Sequence, residues 1–158
     1  MKNKLIKIAI IGKTNAGKST FINKVVGEIV SITNKKINTT EENIIGIKNT
    51  DNTQIIFYDT PGANFLKLKK TYKKDYQSKI WNSIDTSDLI LYILDTLKYD
   101  FKEISLDLLK FNEAKKKIIV VFNKIDLINI DQILPKIKEL DNLKIVNSFF
   151  NISAKFNK

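Results

Sequence analysis

Arginine, histidine and cysteine are all missing from this chain of 158 residues, and each absence excludes something. Without cysteine there is no disulfide frame and no thiolate metal site, which fits a reducing compartment. All 27 basic residues are lysine, so no guanidinium finger and no imidazole general base can come from within the chain. Charge that develops in a transition state must then be met by lysine, metal ions, backbone N–H groups or a partner. Long apolar runs are missing too: the longest, 89–94 and 118–122, are far too short to span a bilayer. The first apolar run begins at Leu5, which leaves no room for a cleavable signal peptide. A cytoplasmic location is the expectation.

What is present is an ordinary soluble composition, 43% hydrophobic and 28% charged, in one domain over 1–158 with length enough for a two-sided core. The net charge of +10 fits an anionic partner such as RNA or a lipid surface. It fits equally a genome biased toward Lys, Asn and Ile.

Apolar runs and turn signals alternate along the chain. Leu5 to Ile11 reads as a buried strand, and Lys18 to Val26 as a helix with Phe21, Ile22 and Val25 inward and Gly27 as its stop. Ser31 to Glu42 is polar with weak periodicity and reads as a mobile loop. Asn43–Lys48 and Gln54–Tyr58 read as a hairpin about a turn at Asn49–Asn52. Tyr72, Tyr76, Ile80 and Ile84 form one helical stripe. Strands follow at 89–95, 118–123 and 148–152. Between them lie a helix marked by Ile104, Leu108 and Phe111 and another marked by Ile133, Leu134, Ile137 and Leu140. The pattern predicts an α/β fold: a mostly parallel six-stranded sheet, one antiparallel strand, and helices on both faces.

Four short motifs sit at the ends of these runs. Gly12 to Ser19 matches G-x-x-x-x-G-K-[ST] after a strand and before a helix. Its backbone N–H groups, with the helix N-terminus, suit a phosphate chain. Asn15, Ala16, Gly17, Lys18, Ser19 and Thr20 are the candidate contacts, Lys18 reaching the β- and γ-phosphates and Ser19 ligating Mg²⁺. Asp59-Thr60-Pro61-Gly62 supplies a carboxylate for the Mg²⁺ shell and, at Gly62, an N–H able to approach the γ-phosphate.

Asn123-Lys124-Ile125-Asp126 selects the base. The acceptor-only carboxylate of Asp126 matches the paired N–H donors of guanine, which adenine lacks. The Lys124 stem can cover the base, and the Asn123 amide can tie base loop to phosphate loop. Ser153-Ala154-Lys155 closes the set, with the Ala154 N–H expected at guanine O6. Thr40 is the expected third Mg²⁺ ligand with Ser19 and Asp59, and Thr39 is its runner-up. The reaction read from this set is Mg²⁺-dependent hydrolysis of GTP to GDP, with Lys18, Thr40 and Gly62 as its catalytic residues. Lys67, Lys69, Lys70, Lys73 and Lys74 read chiefly as a solvated face. Trp81 reads as boundary packing.

The set resembles the bacterial Era GTPases, within the group that includes TrmE, EngA, EngB and septins. The pointers are the stretch at 12–20, Thr39-Thr40 followed by Ile44-Ile45-Gly46-Ile47, and the motif at 59–62. The resemblance implies a Ras-like P-loop NTPase fold and a role in small ribosomal subunit assembly. Ribosomal RNA and an anionic membrane are the implied partner surfaces. It also implies that Asn15 helps hold an activating K⁺ and that backbone groups position the attacking water, since Ala63 stands where relatives place glutamine. Glu41 replaces the arginine usual after the Thr-Thr pair. The family adds a C-terminal KH domain, and the expectation here is a GTPase domain truncated before its closing helix, without that domain. A non-hydrolysing nucleotide-binding module is the alternative, as is another GTPase of ribosome assembly or tRNA modification.

Overall fold

The computed structural model describes residues 4–27, 44–60, 78 and 80–156. The elements are β1 (Lys4–Ile11), α1 (Lys18–Val26), β2 (Ile44–Thr50), β3 (Thr53–Asp59), a helical stretch over 80–85 (α2), β4 (Leu89–Asp95), α3 (Phe101–Asn112), β5 (Lys117–Asn123), α4 (Ile133–Asp141) and β6 (Ser148–Asn151). They build one sheet in the order β2-β3-β1-β4-β5-β6. Among the described residues only the β2–β3 pair is antiparallel; β1 pairs in parallel with β3 and β4, and β5 with β4 and β6.

Strand alternation divides the core between the two faces. Ile10, Leu91, Ile93 and Val121 point toward Ile22 of α1. Ala9, Ile11, Tyr92, Val120 and Phe122 share the other face with Ile84, Leu108, Phe111 and Leu140 of the remaining helices. β4 is buried on both sides, which explains its unbroken apolar run. Each fully buried Val, Leu, Ile or Phe side chain contributes about 1.5–3 kcal/mol by leaving water. Gly46 lets α1 lie close on β2, because a Cβ there would come within 2.8 Å of Val26 Cγ2.

Among the described residues the expected strands and helices stand, with two differences. The hairpin turn is tighter than read: Asn49 and Thr50 stay in β2 and only Asp51-Asn52 turn. The ladder explains it, since Thr50 pairs with Thr53 and Asn49 with Gln54. Leu134, one of the four residues read as marking α4, is 66% exposed, while Ile133 and Leu140 are buried. Ile133, Ile137 and Leu140 already complete that stripe, and a residue beside Ile133 lies about a quarter-turn round. The stripe through Ile80 and Ile84 is buried; its Tyr72 and Tyr76 lie outside the described residues, as does the 31–42 loop. Trp81 packs at the core margin as expected.

One polar pair lies within the core. Tyr92 Oη donates to Asp107 Oδ2 at 2.7 Å, joining β4 to α3. Burial pushes the Asp107 carboxyl above its usual range, and burial with the nearby carboxylate raises the Tyr92 phenol well above its own.

Candidate functional site

β1 runs at the centre of the sheet and delivers the chain to Gly12 at its C-terminal end, where ligands bind in open α/β sheets. The loop there lies against β4: a Cβ on Gly12 would sit 2.4 Å from the Ile93 carbonyl oxygen. Asn15 takes the left-handed region at φ 64°, which asparagine tolerates better than most residues. Gly17 caps α1 at φ 96°, and a Cβ there would meet Asn123 Nδ2 at 2.2 Å. Side chain and backbone therefore both demand glycine at 17. Lys18 Nζ folds back to donate to the carbonyls of Gly12 at 2.8 Å and Lys13 at 3.2 Å, so its ammonium is held inside the loop's curve. Ser19 and Thr20 stand exposed in the first turn of α1, which has neither a side-chain cap nor an acidic residue.

The buried Asn123 amide joins three segments far apart in sequence. Nδ2 donates to the Ala16 carbonyl at 2.8 Å, while Oδ1 accepts from the N–H groups of Lys124 at 2.8 Å and Ala154 at 2.9 Å. The expected link between base loop and phosphate loop is thus present and extends to the last motif. The Ala154 N–H expected at guanine O6 is already donated to Asn123, so a base oxygen would share it. Ser153 Oγ donates to Asp126 Oδ1 at 2.5 Å, which orients the carboxylate assigned to base selection. Lys155 contributes its carbonyl, which accepts from Lys24 Nζ of α1 at 3.0 Å.

Asp59 ends β3 opposite Ile10, on the strand beside β1 and two residues short of the level of Gly12. Its side chain, Gly62, Ala63, Thr39, Thr40 and Glu41 lie outside the described residues, as do Lys67, Lys69, Lys70, Lys73 and Lys74.

Several supports come from residues to which the motifs assigned no role. Thr60 is buried and donates to the Ile10 carbonyl at 2.6 Å, anchoring the second motif to β1. Asp95 and Thr96 end β4. Asp95 Oδ2 accepts from Lys124 Nζ at 2.7 Å, and Thr96 Oγ1 donates to the Asn123 carbonyl at 2.5 Å. An acid and a hydroxyl closing an apolar run beside the Asn-Lys strand were the only trace of this in the sequence. Lys13 pairs with Glu103 of α3. Between the phosphate loop and α3 opens a cleft of about 330 Å³, bordered by Lys13, Thr14, Asp95, Lys98, Asp100 and Glu103.

Comparison with known proteins agrees with this arrangement. A family model described as 50S ribosome-binding GTPase matches residues 7–124. GTPase Era from Buchnera aphidicola (subsp. Acyrthosiphon pisum, strain Tuc7) is 38% identical over 125 residues, 77% of this chain and 42% of the relative. The chain thus spans less than half the length of that curated relative. Among solved structures, a variant of Aquifex aeolicus Era bound to GDP and aluminium fluoride superposes with a TM-score of 0.78 at 32% identity, over 98% of this chain and 52% of the other. Era with MgGDPNP and nucleotides 1506–1542 of 16S ribosomal RNA gives 0.79 at 33% identity, over 98% and 53%. The Thermotoga maritima FeoB G domain, at 21% identity and TM-score 0.68 over 98% and 91%, shares the fold.

Proposed function

The chain belongs to the 50S ribosome-binding GTPase family, and from that premise we propose that residues 1–158 form an Era-type GTPase domain that binds guanine nucleotide and hydrolyses GTP to GDP and phosphate. The observation that carries this reading is the Asn123 amide, bonded at once to Ala16, Lys124 and Ala154. A motif set arising by chance would not converge on one buried side chain.

Backbone N–H groups at the start of α1 receive the phosphates, and Lys18, held by two loop carbonyls, places its ammonium among them. Asp126, braced by Ser153, accepts from the guanine edge, and the Lys124 stem covers the base. The exposed Ser19 hydroxyl one residue after Lys18 is the oxygen donor a hard cation requires, and Asp59 and Thr40 are its proposed partners. Mg²⁺ bound there would neutralise charge on the phosphate oxygens. Asn15, on the outside of the loop, is the proposed K⁺ contact. Thr40 and Gly62 would orient the attacking water.

Era was solved with a 16S ribosomal RNA segment, which supports a role for this chain in small-subunit assembly, and the cytoplasm is the location proposed with that role. The +10 net charge suits an RNA partner. No helix among the described residues is long and apolar enough to cross a membrane.

The test is phosphate release from GTP in KCl and in NaCl, with Asn15→Ala and Asn15→Gly beside wild type. Glycine takes φ 64° without strain, so the pair separates loss of the amide from loop strain. Turnover in KCl that falls about tenfold or more in NaCl and in both variants is expected. Equal turnover in both salts would remove K⁺ from the mechanism. Tight GDP binding with no turnover in either would make the chain a binding module.

A further inference from the structure

Lys124 holds a demanding position. Its backbone lies in the left-handed region at φ 66°, unfavourable for a residue with a Cβ. Its side chain is long and flexible, yet Nζ is placed 2.8 Å from the Asn15 carbonyl, across the gap between base loop and phosphate loop. A lysine–carbonyl bond alone is a weak constraint on four rotatable bonds.

The constraint comes from β4. Asp95 is paired directly with Asn123 in the parallel β4–β5 ladder, so its side chain arises one residue from Lys124 on the adjacent strand. Both carboxylate oxygens are engaged. Oδ2 accepts from Lys124 Nζ at 2.7 Å, and Oδ1 accepts from the Leu97 N–H at 3.1 Å as the cap of the short turn Thr96–Lys98. The Asp95 side chain is 7% exposed and that of Lys124 31%. A carboxylate this buried is costly without a cation, and one fixed at both oxygens on a strand end cannot follow a wandering partner. This pair differs from the exposed Lys144–Asp141 contact at 3.3 Å, whose side chains are 75% and 53% exposed.

We propose that Asp95 is a positioning residue for guanine-nucleotide binding. It pins the Lys124 ammonium against the Asn15 carbonyl, lays the lysine stem along the base seat, and so locks the base loop to the phosphate loop. The inference rests on the guanine-nucleotide reading above.

A mutant cycle on the release of a fluorescent GDP analogue (mant-GDP) tests it. Wild type is measured first: no binding there would sink the functional reading itself and leave no role to assign to Asp95. Given binding, Asp95→Ala and Lys124→Ala are each expected to speed release about tenfold, the order of a charge-assisted hydrogen bond. The double variant should release no more than about twofold faster than Lys124→Ala, because Asp95 acts only through that ammonium. Asp95→Asn, which keeps an acceptor for the Leu97 N–H and loses the charge, should match Asp95→Ala in release while holding the urea midpoint of the unliganded protein. If Asp95→Ala does not fold, the Asn variant alone completes the cycle. Unchanged release, or an equal acceleration whether or not Lys124 is present, overturns the proposal.

Discussion

Two helix beginnings in this molecule solve the same problem in opposite ways. α3 is closed by its own sequence: Asp100 Oδ1 accepts from the Glu103 N–H at 3.1 Å, and Glu103 adds a negative charge to the first turn. α1 begins at Gly17 with no side-chain cap and no acid in its first turn. The first N–H groups of any helix need acceptors, and the positive end of its dipole favours an anion. α3 supplies the anion internally. α1 leaves the place for a ligand, and its own first residue is Lys18 and not a carboxylate. The two ends also touch, since Lys13 of the phosphate loop pairs with Glu103. An acid that satisfies one helix thus also restrains the loop serving the other.

Lys18→Ala should break the contrast most severely. Loss of the ammonium that Gly12 and Lys13 hold is expected to weaken GDP binding by about 100-fold, read by mant-GDP titration. Affinity within threefold of wild type would mean that the start of α1 is not the anion seat. Thr20→Glu would give α1 the acidic first turn of α3. The unliganded protein should gain about 0.3–1 kcal/mol in urea unfolding while GDP affinity falls about tenfold. A change in the same direction for both quantities would show that the two ends do not differ as described. The smallest effect belongs to Asp100→Ala, which should cost about 1 kcal/mol of stability and leave GDP affinity within twofold. A tenfold loss of affinity there would show that the α3 cap serves the nucleotide as well.

Local patterns carried the reading wherever short-range physics decides. The α1 boundaries at Lys18 and Val26 follow from the glycine before the helix and the glycine after it, and β4 follows from its apolar run. The hairpin turn was placed but not its width, because the ladder extends as far as cross-strand pairing allows, through Thr50 and Thr53. Leu134 was read with the α4 markers because an apolar residue beside a helical stripe looks like part of it until a neighbour does or does not cover it.

The site divides along the same line. The amino-acid sequence by itself determined which groups could serve a nucleotide: the glycines of the loop, Lys18, Asn123, Lys124, Asp126 and the Ser-Ala-Lys ending are each legible from residue type and spacing. Only the tertiary structure decided what holds them. Asp95 meets Lys124, Thr96 meets the Asn123 carbonyl, and Thr60 meets Ile10 because parallel strands bring the C-terminal ends of distant segments side by side. Chemistry is written in the side chain, whereas support depends on which neighbour the ladder places beside it, and hydrogen bonds reach only about 3 Å.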